Sequence, residues 1–138
     1  MPATDRKKIL NVRSVMRNHV ATVDINDSVQ SVSRSMQQQG IHHMPVLEEG
    51  EIAGMVTHHD LEVITKSAGE LADAADMIIV KAVMARPPIT ISPDTPLSEA
   101  IWVMVEHLVH SLPVMERGKL IGIITHTDVL TWAAEKLA

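Results

Sequence analysis

The heptapeptide Gly54-Met55-Val56-Thr57-His58-His59-Asp60 returns as Gly122-Ile123-Ile124-Thr125-His126-Thr127-Asp128, a shift of 68 residues. The same shift of 68 carries Met16 onto Met84, Thr22 onto Thr90, His42 onto His110, Pro45 onto Pro113 and Gly50 onto Gly118, and no gap interrupts the match of Val12–Leu61 with Val80–Val129. A repeat over nearly the whole chain implies two copies of one unit, each ending an apolar run in the same polar motif. Two equivalent sites about an approximate two-fold axis are the first expectation. A half of about 60 to 70 residues would be marginal alone, so the copies are expected to share one core.

The copies divide the chain into residues 1–69 (repeat core 12–67), a linker 70–79 and residues 80–138. Each copy reads β-α-β-β-α, which predicts a mixed α/β (α+β) fold. Val20–Val23 and Ile89–Ile91 are short β-prone runs. In the first copy Asp27 is expected to cap the following helix, with Gln30 completing a capping box; in the second, Thr95 caps and Pro96 takes the first helical position. Val29, Val32 and Met36 make one apolar helical face, and Leu97, Ala100, Ile101, Met104, Val105 and Leu108 repeat it more fully. Gly40 closes the first helix as a left-handed cap; Leu108 in its place predicts that the second helix ends another way.

A hairpin follows in each copy, Met44–Leu47 returning as Ile52–Val56 and Leu112–Met115 returning as Leu120–Ile124. The return strands are apolar throughout and are expected to be buried on both faces. Asp60 and Asp128 then stand at the starts of helices over Leu61–Lys66 and Val129–Leu137, where either could be a plain helix cap. The stretch Ala68–Ile79 is expected to be partly helical, with Leu71, Ala74, Ala75 and Ile78 on one face.

The net charge of −5 opposes non-specific nucleic-acid binding, and the absence of cysteine excludes disulfides and thiol chemistry. No signal-peptide pattern and no run of about 18 apolar residues is present, which makes a cytoplasmic protein without a membrane partner the default. Trp102 and Trp132 are the whole aromatic complement, so a planar ligand would have to be gripped by aliphatic side chains and backbone. No motif of nucleophilic, metallopeptidase or phosphate-loop chemistry occurs, and the two acids lie on equivalent repeats, as binding sites would, so no catalytic residue is assigned. The eight histidines, His42-His43, His58-His59, His110 and His126 among them, raise a metal-responsive alternative. Adjacent histidines on a strand point to opposite faces and no spacing matches a zinc signature, so no metal site is assigned. Trp102 falls on the polar phase of its helix, where the first copy has Arg34, and predicts either a self-association surface or packing against the linker.

The ordered set Met16, Thr22, Asp27, Pro45-Val46, Gly50, Gly54, Thr57 and Asp60, repeated as Met84, Thr90, Thr95, Pro113-Val114, Gly118, Gly122, Thr125 and Asp128, resembles the cystathionine-β-synthase (CBS) domain in its tandem-pair form. The resemblance covers about nine tenths of the chain. It implies a free-standing regulatory module, with no obligatory cofactor, that binds an adenine nucleotide (AMP, ADP or ATP) in clefts between paired repeats. It further implies a homodimer and an effector protein as partners. Carried over, one cleft would use Thr57, Asp60, His42, His43 and Met55, with Ile89 and Val109 beside the base. The other would use Thr125, Asp128, His110, Ser111 and Ile123, with Ala21 and Ile41 beside the base. S-adenosylmethionine shares the adenosine half and stays open as a ligand, as does a protein-interaction module with empty clefts.

Independently of the resemblance, a carboxylate can accept both hydrogen bonds of a vicinal diol, and a helix N-terminus beside a Thr hydroxyl suits an anion. The phosphate-side positions carry histidine where arginine would bind more strongly, and Ser111 is neutral. The first cleft is therefore expected to be the better phosphate binder, with affinity rising as pH falls toward about 6.

Overall fold

In the computed structural model of the chain, residues 10–68 and 77–138 are described. Strand β1 (Val23–Asp24) leads to helix α1 (Val29–Gln39), the hairpin β2 (His43–Glu48) and β3 (Glu51–Thr57), and helix α2 (His58–Ala68). Helix α3 (Leu97–His107), the hairpin β4 (Ser111–Glu116) and β5 (Lys119–Thr125), and helix α4 (His126–Leu137) complete the chain. Short 3-10 turns at Val12–Ser14 and Val80–Ala82 precede the two sets. The starts of α1, β2, β3 and α2 recur in α3, β4, β5 and α4 at the shift of 68 read from the sequence. Of the expected linker, residues 69–76, Leu71, Ala74 and Ala75 included, lie outside the described residues. Ile78 packs on the core of the first hairpin and its helices.

Two compact units form, one running from Val20 to Ile89 and the other joining the N-terminal stretch through His19 to Thr90–Ala138. The division in space thus differs from the division of the repeat in sequence. The lead-in of the first repeat packs on the second hairpin, where Arg17 and Ile123 exchange both main-chain hydrogen bonds at 2.9 and 3.0 Å. The lead-in of the second repeat packs on the first hairpin, where Met55 and Ala85 do the same at 3.0 and 2.8 Å. Each lead-in covers the outer edge of a return strand and leaves it less open to pairing with another chain.

The Val20–Ile89 unit buries Val29, Val32, Met36, Met44, Val46, Val56, Leu61, Val80 and Met84 in one core. Its sheet has the order β1-β2-β3, with β1 parallel to β2 and β3 antiparallel to it. The other unit has the β4-β5 hairpin, and a single parallel bridge from Ile91 to Val114 stands where β1 would lie.

The first strands are therefore shorter than Val20–Val23 and Ile89–Ile91. Proline is the reason. The amide of Ile91 donates to the carbonyl of Pro113 at 3.0 Å and that of Met115 to Ile91 at 2.9 Å. Continuing this ladder toward Ile89 needs a donor from Pro113, which has none, and Pro45 stops β1 in the same way. The return strands are also less enclosed than expected: Gly54, Met55 and Val56 are buried, but Ile52 and Ala53 are half-buried, and β5 repeats the pattern.

Helix ends differ from the sequence reading at three points. Ser28, not Asp27, caps α1, its hydroxyl accepting from the Ser31 amide at 3.0 Å. Asp27 is occupied with the turn before it, accepting from the Asp24 amide at 2.9 Å. Helix α3 has Pro96 at the cap position with no side-chain cap, so neither Thr95 nor Pro96 plays the expected part. The exposed amide of Leu97 is met instead by the carbonyl of Leu10 at 2.8 Å, as Val29 is met by Ile78 at 2.8 Å. Gly40 ends α1 in the left-handed region (φ 64) as expected, but Leu108 ends α3 in that same conformation (φ 54).

Candidate functional site

In each unit the return strand runs into a helix without a loop, and the Thr and Asp of the repeated motif sit at that junction. Thr125, extended at φ −114 and ψ 162, caps α4, and Asp128 three residues on reaches back to it. The Asp128 amide donates to Thr125 Oγ1 at 3.2 Å, while the Thr125 amide and hydroxyl both donate to Asp128 Oδ2 at 2.9 Å. In the other unit the Asp60 amide donates to Thr57 Oγ1 at 3.1 Å and the Thr57 amide to Asp60 Oδ2 at 3.3 Å. The threonine is therefore the cap and the aspartate its reciprocal partner at the third helical residue. Either carboxylate thus lies beside the amides of a helix N-terminus, which carries partial positive charge.

The histidines converge on the same junctions. The His58 amide donates to the His42 carbonyl at 2.8 Å, and their rings meet edge-on with centroids 5.6 Å apart. His126 and His110 repeat the amide–carbonyl bond at 2.8 Å, with rings tilted by 37° and 4.6 Å apart. His43 lies opposite Thr57 in the β2–β3 register, and Ser111 opposite Thr125 in the β4–β5 register. His42, His43, Thr57 and Asp60 are thus assembled in one unit, and His110, Ser111, Thr125 and Asp128 in the other. His58 and His59 start α2 rather than lying on a strand, and among the described residues no group of three His, Cys, Asp or Glu is arranged to hold a metal ion.

Met55 and Ile123 are buried, with their main-chain groups committed to Ala85 and Arg17. Ile89 is half-buried in the unit that holds Asp60, and Ala21 and Ile41 pack against the core of that same unit. Val109, half-buried, belongs to the unit that holds Asp128.

The two acids differ in one respect that the sequence reading missed. Arg17 Nε lies 2.9 Å from Asp128 Oδ1, and the carboxylate is 9% exposed. At the shift of 68 the residue matching Arg17 is Ala85, and among the described residues Asp60 has no ion-pair partner. The signal was available as a mismatch in the repeat. It carried no meaning until the exchange of lead-ins placed residue 17 against the second hairpin. On α2, one turn beyond His58, the Lys66 ammonium 2.8 Å from Glu62 holds that carboxyl below the usual range, with a smaller contribution from His58.

A family model for the CBS domain matches residues 12–62 and again residues 80–135. The chain belongs to the CBS domain family. It is 29% identical over 119 residues to the CBS domain-containing protein YhcV of Bacillus subtilis, a match spanning 86% of this chain and 82% of that protein. It is 32% identical over 124 residues to the inosine-5'-monophosphate dehydrogenase of Korarchaeum cryptofilum, spanning 89% of this chain but 24% of that enzyme. Among solved structures, the CBS domain pair of protein MJ0100, in complex with 5'-methylthioadenosine and S-adenosyl-L-methionine, superposes with a TM-score of 0.80. That match covers 94% of this chain and 99% of the other at 23% identity, which shows the fold. In both CBS repeats here, the Thr and Asp shared between the repeats sit on a strand-to-helix junction.

Proposed function

We propose that the chain is a regulatory module, not an enzyme, that binds an adenosine-containing ligand at the Thr57–Asp60 junction and passes occupancy to a partner. The observation that carries this reading is the Asp60 carboxylate, which has one oxygen turned to its own cap and, among the described residues, no cation on the other. That leaves acceptor capacity for the two hydroxyls of a ribose. His42 and His43, tied to the same junction by the pairings with His58 and Thr57, are the proposed donors for a phosphate, which favours AMP, ADP or ATP over the sulfonium S-adenosylmethionine. Met55 and Ile89 supply apolar surface in the same unit. The adenosine ligands of protein MJ0100 support the choice of ligand class.

Output through a homodimer is supported by the apolar side chains of Trp102 and Val105 on α3, which are 62% and 54% exposed. An effector protein is the other proposed recipient.

A thermal-shift panel of AMP, ATP, S-adenosylmethionine, Zn²⁺ and Ni²⁺ tests the reading. A ligand at 100 times its dissociation constant adds about 2.7 kcal/mol, or roughly 10 °C for a domain of this size. Stabilisation by an adenosine ligand supports the proposal. Stabilisation by the metals alone favours the histidine-based alternative, and no response to any of them favours an interaction module.

A further inference from the structure

Resting on the reading of these aspartates as ribose acceptors, we infer that Arg17 decides how many ligands the chain takes: its guanidinium occupies the Asp128 oxygen that a diol would need. Oδ2 of Asp128 already accepts two hydrogen bonds from Thr125, and Oδ1 accepts from Arg17 Nε at 2.9 Å. A carboxylate offers about four lone-pair directions, so one remains, too few for a vicinal diol held by both hydroxyls. Asp60, with a single donor on Oδ2 among the described residues, keeps about three.

Arg17 is held in place by its main chain. Its amide and carbonyl are both bonded to Ile123, at 2.9 and 3.0 Å, so the side chain starts from a fixed point beside the hairpin. The planar guanidinium matches a carboxylate in charge and in geometry. It is still displaceable, because the Arg17 side chain is 61% exposed and water screens the pair. Ala85 occupies the same register against Met55, pairing with it as Arg17 pairs with Ile123, and has no side chain that could reach Asp60. One ribosyl ligand therefore binds at Asp60, and the Asp128 position fills only at the cost of displacing Arg17.

Calorimetric titration with AMP of the wild type, Arg17→Ala and Ala85→Arg tests this. The wild type should take one AMP per chain. Arg17→Ala should raise the stoichiometry to two, or tighten a weak second site at least tenfold. Ala85→Arg, made at an exposed position, should weaken the Asp60 site at least tenfold and stands as an independent test should Arg17→Ala fail to fold. Two equal sites in the wild type, or one unchanged site in both variants, would overturn the role of Arg17 while leaving the ribose reading intact. Absence of AMP binding in all three proteins would overturn the ribose reading and this inference with it.

Discussion

The thioether sulfur of Met84 lies 2.9 Å from the place a β-carbon would take on Gly54, and Met16 stands at 2.9 Å from the same place on Gly122. Two positions conserved between the repeats thus meet crosswise: the methionine of each lead-in crosses the glycine of the other repeat's return strand. The glycine is needed because a main-chain atom is closer still. Ala85 carbonyl oxygen would be 2.6 Å from a β-carbon on Gly54, and that of Arg17 would be 2.7 Å from one on Gly122.

Gly54→Ala and Gly122→Ala should each destabilise the protein by about 1 to 3 kcal/mol, because a carbonyl fixed in a bridge cannot rotate away as a side chain could. Denaturant unfolding measures this. A change within about 0.5 kcal/mol would mean that the lead-ins give way easily and do not fix the junction.

Leu108→Gly should stabilise by about 1 kcal/mol, since a β-carbon at φ 54 is strained. The side chain is 88% exposed, so little packing is lost with it. Gly40→Ala should lose a similar amount at the equivalent helix end. Thermal melts of the two variants should move in opposite directions; a fall for both would contradict the assignment at Leu108.

The cap assignments predict that Ser28→Ala costs about 1 kcal/mol through loss of the bond to the Ser31 amide. Thr95→Ala should cost less than about 0.5 kcal/mol, because Thr95 bonds through its main chain: its carbonyl accepts from Val12 and its amide donates to Ser92. Equal losses at both positions would return the cap to Thr95.

Much of this architecture was legible because hydrophobic period and an ungapped repeat are local properties of the chain. Both hairpins and the four helices among the described residues overlap the segments the pattern assigned to them, although the helices expected over Leu61–Lys66 and Val129–Leu137 begin three residues earlier, at His58 and His126. What could not be read was set by groups distant in sequence. Leu97 needs no side-chain cap because Leu10, far away along the chain, supplies a carbonyl. The first strands stop early because a parallel ladder calls for a donor at Pro45 and Pro113. Arg17 reaches Asp128 across 111 positions of sequence, so the inequality of the two acids was invisible as local pattern. The histidines were read as a difference of His43 against Ser111; the structure adds a second difference, on the acids themselves.

The histidine pairs predict a phosphate-specific response to acid. Affinity for AMP should rise several-fold between about pH 8 and about pH 6, the direction expected where histidine stands in place of arginine at a phosphate. Affinity for 5'-methylthioadenosine, which has no phosphate, should stay level over that window. Parallel changes for both ligands would assign the pH dependence to the fold and not to the phosphate contact.

The central claim is that Asp60 holds the ribose of an adenosine ligand, and calorimetric titration of AMP into the wild type and Asp60→Ala tests it most directly. The account predicts saturable binding to the wild type and at least a tenfold loss in the variant, with the variant still folding cooperatively. Binding that survives Asp60→Ala unchanged, or a wild type that takes up no AMP, would contradict it.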